Sequence, residues 1–222
     1  MTGDSADQLR AGARALRLDL SEAQIAGLLA YLQLIARWTK VYNLTAVRDP
    51  AEMVGHHLLD CLAVIPALRC ELARQEALQP SLLDVGSGAG LPGVVLALCC
   101  PELRVCCVDA VAKKVAFVQQ VAMALNLPNL RAQHVRVEQL SERFDVVVSR
   151  AFASLPDFTR WTAAALAERG VWLAMKGKAP TQELADLPPT VDVFHVEQLQ
   201  VPGLDAERCL VWMRPKQGAA LG

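Results

Sequence analysis

Apolar residues recur at helical spacing early in the chain, at Ile25, Leu28, Leu29, Leu32 and Ile35. Ser21 and Gln24 precede them in capping-box spacing, so a helix is expected from there to about Lys40. Asp49, Pro50 and Glu52 repeat that logic with a cap, a proline at the first helical position and an acid in the first turn, predicting a second helix to about Leu68. Residues 1–70 thus read as a helical extension, and the polar stretch 71–80 as a connector. From residue 81 the pattern changes to short apolar runs alternating with helical ones. Strands are expected at 81–85, 104–109, 130–135, 144–149, 171–175, 191–200 and 208–213, with helices at 92–100, 112–126 and 157–168. Alternation of this kind builds a parallel sheet, whose ligands sit beyond the carboxyl ends of the strands. The domain should span 81–216, leaving 217–222 as a tail.

Composition narrows the class. With 222 residues, 53% of them hydrophobic, the chain can bury a sizeable core. Its first residues lack the apolar stretch of a signal peptide, and its longest apolar run, Val94 to Cys100, is far short of the ~20 residues that span a bilayer. A cytoplasmic protein without a membrane partner is expected. The seven cysteines, an odd number, argue for a reducing compartment. Cys106 and Cys107 fall in one strand, where neighbouring side chains face opposite ways and cannot share an ion, so no metal is expected.

The stretch LLDVGSGAGLPG, residues 82–93, follows the first strand of the domain directly. Glycine turns of this kind let a ligand lie against backbone N–H groups. Gly88, Gly90 and Gly93 satisfy the dinucleotide pattern, whereas Asp84, Gly86, Gly88 and Gly90 satisfy the D-x-G-x-G-x-G pattern of S-adenosylmethionine (SAM) enzymes. Asp109, at the end of the next strand, is placed to accept hydrogen bonds from a ribose diol, which both cofactors carry. Asp84 separates them: a carboxylate at the mouth would repel a pyrophosphate and attract the ammonium and sulfonium of SAM. The other role open to Asp84 is to cap the turn.

The acceptor should show at the strand ending in Ser149 and Arg150. The Asn or Asp with paired prolines and an aromatic that serves exocyclic amines is missing there, as is the Pro-Cys pair of pyrimidine C5 chemistry. An acceptor with a free lone pair remains; guanine N7 is one, and it needs no general base.

Taken together, YNLTAVRDP at 42–50, HHLLD at 56–60, DVGSGAGLPG at 84–93, SRAFASL from Ser149 and the pair Lys176 and Gly177 resemble the RsmG (GidB) family in order and spacing, over residues 20–214. The resemblance implies a Rossmann-like class I SAM-dependent methyltransferase fold, with a mostly parallel seven-stranded sheet and an antiparallel C-terminal strand. It also implies methylation of guanine N7 in small-subunit (16S) ribosomal RNA. It assigns Gly86 and Leu91 to SAM, the backbone around Val137 and Glu138 to the adenine, and to Arg150 the closing of the site. Two departures stand out: Cys61 follows Asp60 where the family often has serine, and RVEQ at 136–139 varies a commonly acidic segment.

Charge is uneven in a way that suits RNA. Residues 104–178 hold 11 Lys+Arg against 6 Asp+Glu, a local +5 in a chain of net charge −1. Lys113, Lys114, Lys176 and Lys178 flank predicted strand ends and are candidate phosphate contacts, with a solvated charged face as the other reading. Tyr42, Trp38 and Phe152 could stack a flipped base, although Trp38 suits the core better. His57 is either a substrate contact or a partner of Asp60 one helical turn on. The expected partner is 16S rRNA or the small subunit, not DNA, and a monomer is expected. Rival functions are a small-molecule methyltransferase, a NAD-dependent oxidoreductase, or a SAM-binding assembly scaffold.

Overall fold

The computed structural model describes residues 3–42, 44–45, 47, 49–76 and 79–216; the tail 217–222 lies outside the described residues. The extension holds α1 (Gly3–Ala15), α2 (Glu22–Tyr42), α3 (Pro50–Met53), a π-helical turn (Val54–Leu59), α4 (Asp60–Leu62) and α5 (Ile65–Gln75). The capping box forms as expected: Gln24 N donates to Ser21 Oγ at 3.2 Å, and Ser21 N donates to Gln24 Oε1 at 2.9 Å. The second expected helix, by contrast, is broken. In its π-helical turn Asp60 N–H reaches back to Gly55 O, and Pro66 has no N–H to offer the Leu62 carbonyl, so the helix restarts at Ile65.

The domain follows as β1 (Ser81–Val85), α6 (Gly93–Cys99), β2 (Arg104–Asp109), α7 (Ala112–Ala124), β3 (Leu130–His134), β4 (Phe144–Arg150), α8 (Leu155–Thr162), β5 (Leu166–Lys176), α9 (Thr181–Ala185), β6 (Val191–Leu199) and β7 (Arg208–Pro215). The strands form one seven-stranded sheet in the order β3-β2-β1-β4-β5-β7-β6. Neighbours run parallel from β3 to β5, and β7 is antiparallel to both β5 and β6. The predicted helix at 157–168 is shifted. It starts at Leu155, where Ser154 caps it by accepting from Asp157 N, and stops at Thr162. The alanine-rich stretch that follows favours helix, but Leu166 is drawn into β5 by pairing with Phe144.

Alternation along the central strands divides the core. Leu82, Val105, Cys107, Val146 and Val148 face α2, α6 and α7 with much of the extension. Leu83, Val85, Cys106, Val108 and Val147 face the opposite layer, with Phe158 of α8 and Trp172. The extension is therefore part of the same core. Tyr31 of α2 is fully buried, and its hydroxyl donates to Ala89 O at 2.6 Å, tying α2 to the glycine turn. Asn129 Nδ2, before β3, donates to the carbonyls of Ala97 and Leu103, at 2.9 and 3.0 Å, closing the α6–β2 connection.

Removing the Tyr31 hydroxyl orphans a buried carbonyl without opening a cavity. Tyr31→Phe is expected to cost about 1–2 kcal/mol, measured by urea unfolding. An unchanged midpoint would mean that the bond contributes nothing.

Candidate cofactor-binding site

β1 delivers Asp84 and Val85 to a turn that no ordinary residue follows easily: Gly86, Gly88 and Gly90 have φ of 65°, 59° and 87°. At Gly86 space is as restrictive as the dihedral, since a Cβ there would lie 2.4 Å from the Phe152 ring. Side chains from below hold the turn in place. Asp84 Oδ2 accepts from Gly93 N at 2.8 Å, capping α6, and Asp109 Oδ2 accepts from Gly88 N at 3.0 Å. Asp109 Oδ1 accepts from Val111 N at 2.9 Å, so one carboxylate fixes both the glycine turn and the β2–α7 loop. Lys114 Nζ lies 3.5 Å from Asp109.

Beside this turn a cavity of about 190 Å³ opens at the carboxyl ends of the strands, lined by Val85, Gly86, Asp109, Val137, Glu138 and Phe152, among others. Four of the predicted cofactor residues, Gly86, Asp109, Val137 and Glu138, thus meet around one space. Val137 and Glu138 lie in a single 3₁₀ turn, Val137 buried and Glu138 exposed. Trp161 closes the cavity against Phe152, with ring centroids 5.8 Å apart and nearly perpendicular. Gly88, Gly90 and the buried Leu91 shape the turn without lining this space. A larger cavity, about 470 Å³, lies at the opposite ends of the strands, by Ser81, Arg104 and Phe144, away from the turn.

Several predicted residues have other duties. Asp84 does not stand at the mouth: it is fully buried, it caps α6, and its Oδ1 has no hydrogen-bond partner among the described residues. Burial pushes its carboxyl up to about 7. The capping role therefore holds, and the carboxylates that line the cavity are the buried Asp109 and the exposed Glu138. Arg150 turns away from the cavity; its Nη1 donates to His56 O at 3.0 Å and Asp60 Oδ2 at 3.1 Å. Arg208 Nε donates to Asp60 Oδ1 at 2.8 Å, so the buried Asp60 joins the extension to β4 and β7. Removing Arg150 would leave a buried carboxylate half paired, which makes it structural in this state. His57 is buried and unable to face RNA; its partner is Thr45, Nε2 to Oγ1 at 2.9 Å, not Asp60. Burial holds its ring down to about 4, with Arg150 adding to the effect.

Lys176 is also engaged. Its Nζ donates to Ala153 O at 3.0 Å and Glu183 Oε2 at 2.8 Å, which secures the loop after β4 that carries Phe152. Lys113 and Lys178 are exposed. Sequence reasoning missed Tyr31, Trp161 and Arg208. Arg208 meets a partner 148 positions away, and no local pattern announces such a pair. Among the described residues, no three His, Cys, Asp or Glu side chains converge as metal ligands, and no helix is long and apolar enough to cross a membrane.

The raised Asp84 pKa carries a pH signature. The folded state holds this proton up to about pH 7, while the unfolded carboxyl releases it near 3.8. The contribution is therefore fully present below the unfolded value and is lost as pH rises through the folded one. Asp84→Asn keeps an acceptor for Gly93 N and cannot ionise. Its stability relative to the parent, from urea midpoints, should rise between pH 4 and 7; a difference that does not vary with pH would refute the buried ionisation.

Comparison with known proteins agrees with this geometry. The family profile described as GidB, rRNA small subunit methyltransferase G, matches residues 24–211. A protein of Polaromonas sp. (strain JS666) named ribosomal RNA small subunit methyltransferase G is 65% identical over 221 residues, covering 99% of this chain and 97% of that one. One of the same name from Paracidovorax citrulli is 61% identical, covering 96% and 91%. Among solved structures, the magnesium protoporphyrin IX methyltransferase ChlM from Synechocystis PCC 6803, with bound SAM, superposes with a TM-score of 0.56 at 14% identity, covering 88% of this chain and 98% of that one. The N-methyltransferase NodS from Bradyrhizobium japonicum WM9, with S-adenosyl-L-homocysteine, also scores 0.56, at 15% identity and coverages of 82% and 100%. The sheet is thus that of the Rossmann-like class I SAM-dependent methyltransferases, and a match running through nearly the whole sequence makes the chain a member of the GidB family.

Proposed function

We propose that this protein methylates N7 of a guanine in 16S ribosomal RNA, with SAM as the donor. The observation that carries the reading is the convergence of Gly86, Asp109, Val137 and Glu138 on one cavity at the carboxyl ends of the strands. The residues fit the cofactor: apolar walls from Val85, Val108 and Val137 suit a planar base, and Asp109 in the cavity wall suits ribose hydroxyls. Each Asp109 oxygen already accepts one backbone N–H and has lone-pair capacity left for a hydroxyl. Gly86 carries no side chain of its own and brings backbone to the cavity wall, with the Phe152 ring packed against it. SAM supplies, when bound, an electrophilic methyl group on a sulfonium.

The protein's own part is alignment and exclusion of water. Phe152 and Trp161 cover the cavity, and Lys176 with Glu183 fixes the loop that places Phe152. The ionisable residues lining the cavity are Asp109, Arg136 and Glu138, and Asp109 is held by the turn. An acceptor with its own lone pair, such as guanine N7, asks no proton transfer of them. The names of the relatives support ribosomal RNA of the small subunit as the substrate. The local excess of positive charge from residue 104 to 178 is consistent with a polyanion.

The decisive test is transfer of labelled methyl to small subunits from cells lacking the corresponding activity, followed by mapping of the modified nucleotide. Label on guanine N7 of 16S rRNA is expected; label on another atom, or none, overturns the assignment. Gly86→Ala should weaken SAM binding at least tenfold by calorimetry, because its Cβ meets Phe152 and strains a φ of 65°. Retained affinity would mean that Gly86 does not frame the site.

A further inference from the structure

The three aromatic residues that could stack a base are not equivalent in the folded chain. Phe152 packs against Gly86 and Trp161 inside the cofactor cavity, and Trp38 lies partly buried, edge-on to Phe117 of α7 at 5.2 Å. Tyr42, the last residue of α2, is 44% exposed. Its ring rests on Trp38, centroids 5.1 Å apart, and Lys113 Nζ sits 5.2 Å from its centre. Val41, next to Tyr42 in the chain, and Val111, two residues before Lys113, are also exposed. Its place in the fold gives it meaning. Lys113 is in the first turn of α7, Lys114 pairs with Asp109, and Val111 follows Ala110, which lines the cofactor cavity. An exposed ring and a cation therefore stand where α7 begins, three residues along the chain from Ala110 in the cavity wall.

Resting on the proposed function, we infer that Tyr42 and Lys113 form a docking platform for an unpaired nucleotide beside the target guanine. In an A-form duplex guanine N7 is hidden in a deep, narrow groove, so the target must leave its stack. The neighbouring base then loses a stacking partner, and Tyr42 replaces it. Lys113 occupies the ring only as an exposed cation–π contact, which is weak. Base stacking on an aromatic ring is stronger, and the displaced ammonium gains a phosphate, so exchange on binding is favourable. The patch combines apolar surface, a π-face and a positive charge, which suits single-stranded RNA better than a neutral protein surface.

The test is retention of protein-free 16S rRNA on filters, with heparin as a polyanion lacking bases and calorimetry with SAM as the control for an intact site. Tyr42→Ala should weaken RNA binding about tenfold, the order of one lost base stack, with heparin and SAM binding unchanged. Tyr42→Trp should restore it and Tyr42→Leu should not. Lys113→Ala should weaken both polyanions and lower the slope of log affinity against log salt by about 0.7. Equal binding by the Leu variant, or a Tyr42→Ala loss shared by heparin, overturns the stacking role. A loss seen only with assembled subunits would make the contact a ribosomal protein and also overturn it. Mapping of the methylated atom in the parent is a separate readout, so failure there would sink the proposed function without altering these binding results.

Discussion

The structure depends on keeping one turn of backbone open. Three glycines with positive φ would sample many conformations in an isolated peptide; here each side of the turn is tied down. Asp84 holds Gly93 from below, Asp109 holds Gly88 from the next strand, and Tyr31 holds Ala89 from the helical extension. The ties follow from the sheet, because β1 and β2 run parallel in a register that sets Asp84 beside Cys107 and ends β2 at Asp109. A site held this way is organised before its ligand arrives.

The carboxylates of the fold divide the electrostatic work by depth. Asp84 sits in the core, where burial favours its protonated form, while Asp109, also buried, lines the cavity with both oxygens engaged. Asp60, buried between Arg150 and Arg208, joins three parts of the chain distant in sequence. Buried ion pairs add little net stability against an apolar replacement, so its contribution is positional. It sets the π-helical turn, and with it His57, against the ends of β4 and β7.

Much of this was legible in the sequence. The strands 81–85 and 104–109 match their predicted limits because each apolar run is too short for a helix and is bounded by turn residues. Gly86, Asp109, Val137 and Glu138, singled out by the glycine pattern and the family resemblance, line one cavity. What was not legible has physical causes. The break in the second helix comes from a π-helical turn with no signature in residue type, and the shortened helix after Leu155 from strand pairing that overrides local propensity. Arg150 looks free at a strand end until Asp60, ninety positions earlier, is brought beside it. His57 and Lys176 are engaged by nearer partners, Thr45 and Glu183, which loops bring back beside them.

The central claim, that the glycine turn and the 3₁₀ segment at 137–139 together form the SAM site, is tested most directly by amide hydrogen exchange with and without SAM. Slowed exchange confined to residues 85–91, 109–111 and 135–139 is the predicted result. Protection instead at the other cavity, at the amino ends of the strands around Arg104, Arg131 and Arg143, with the turn unaffected, would contradict the account.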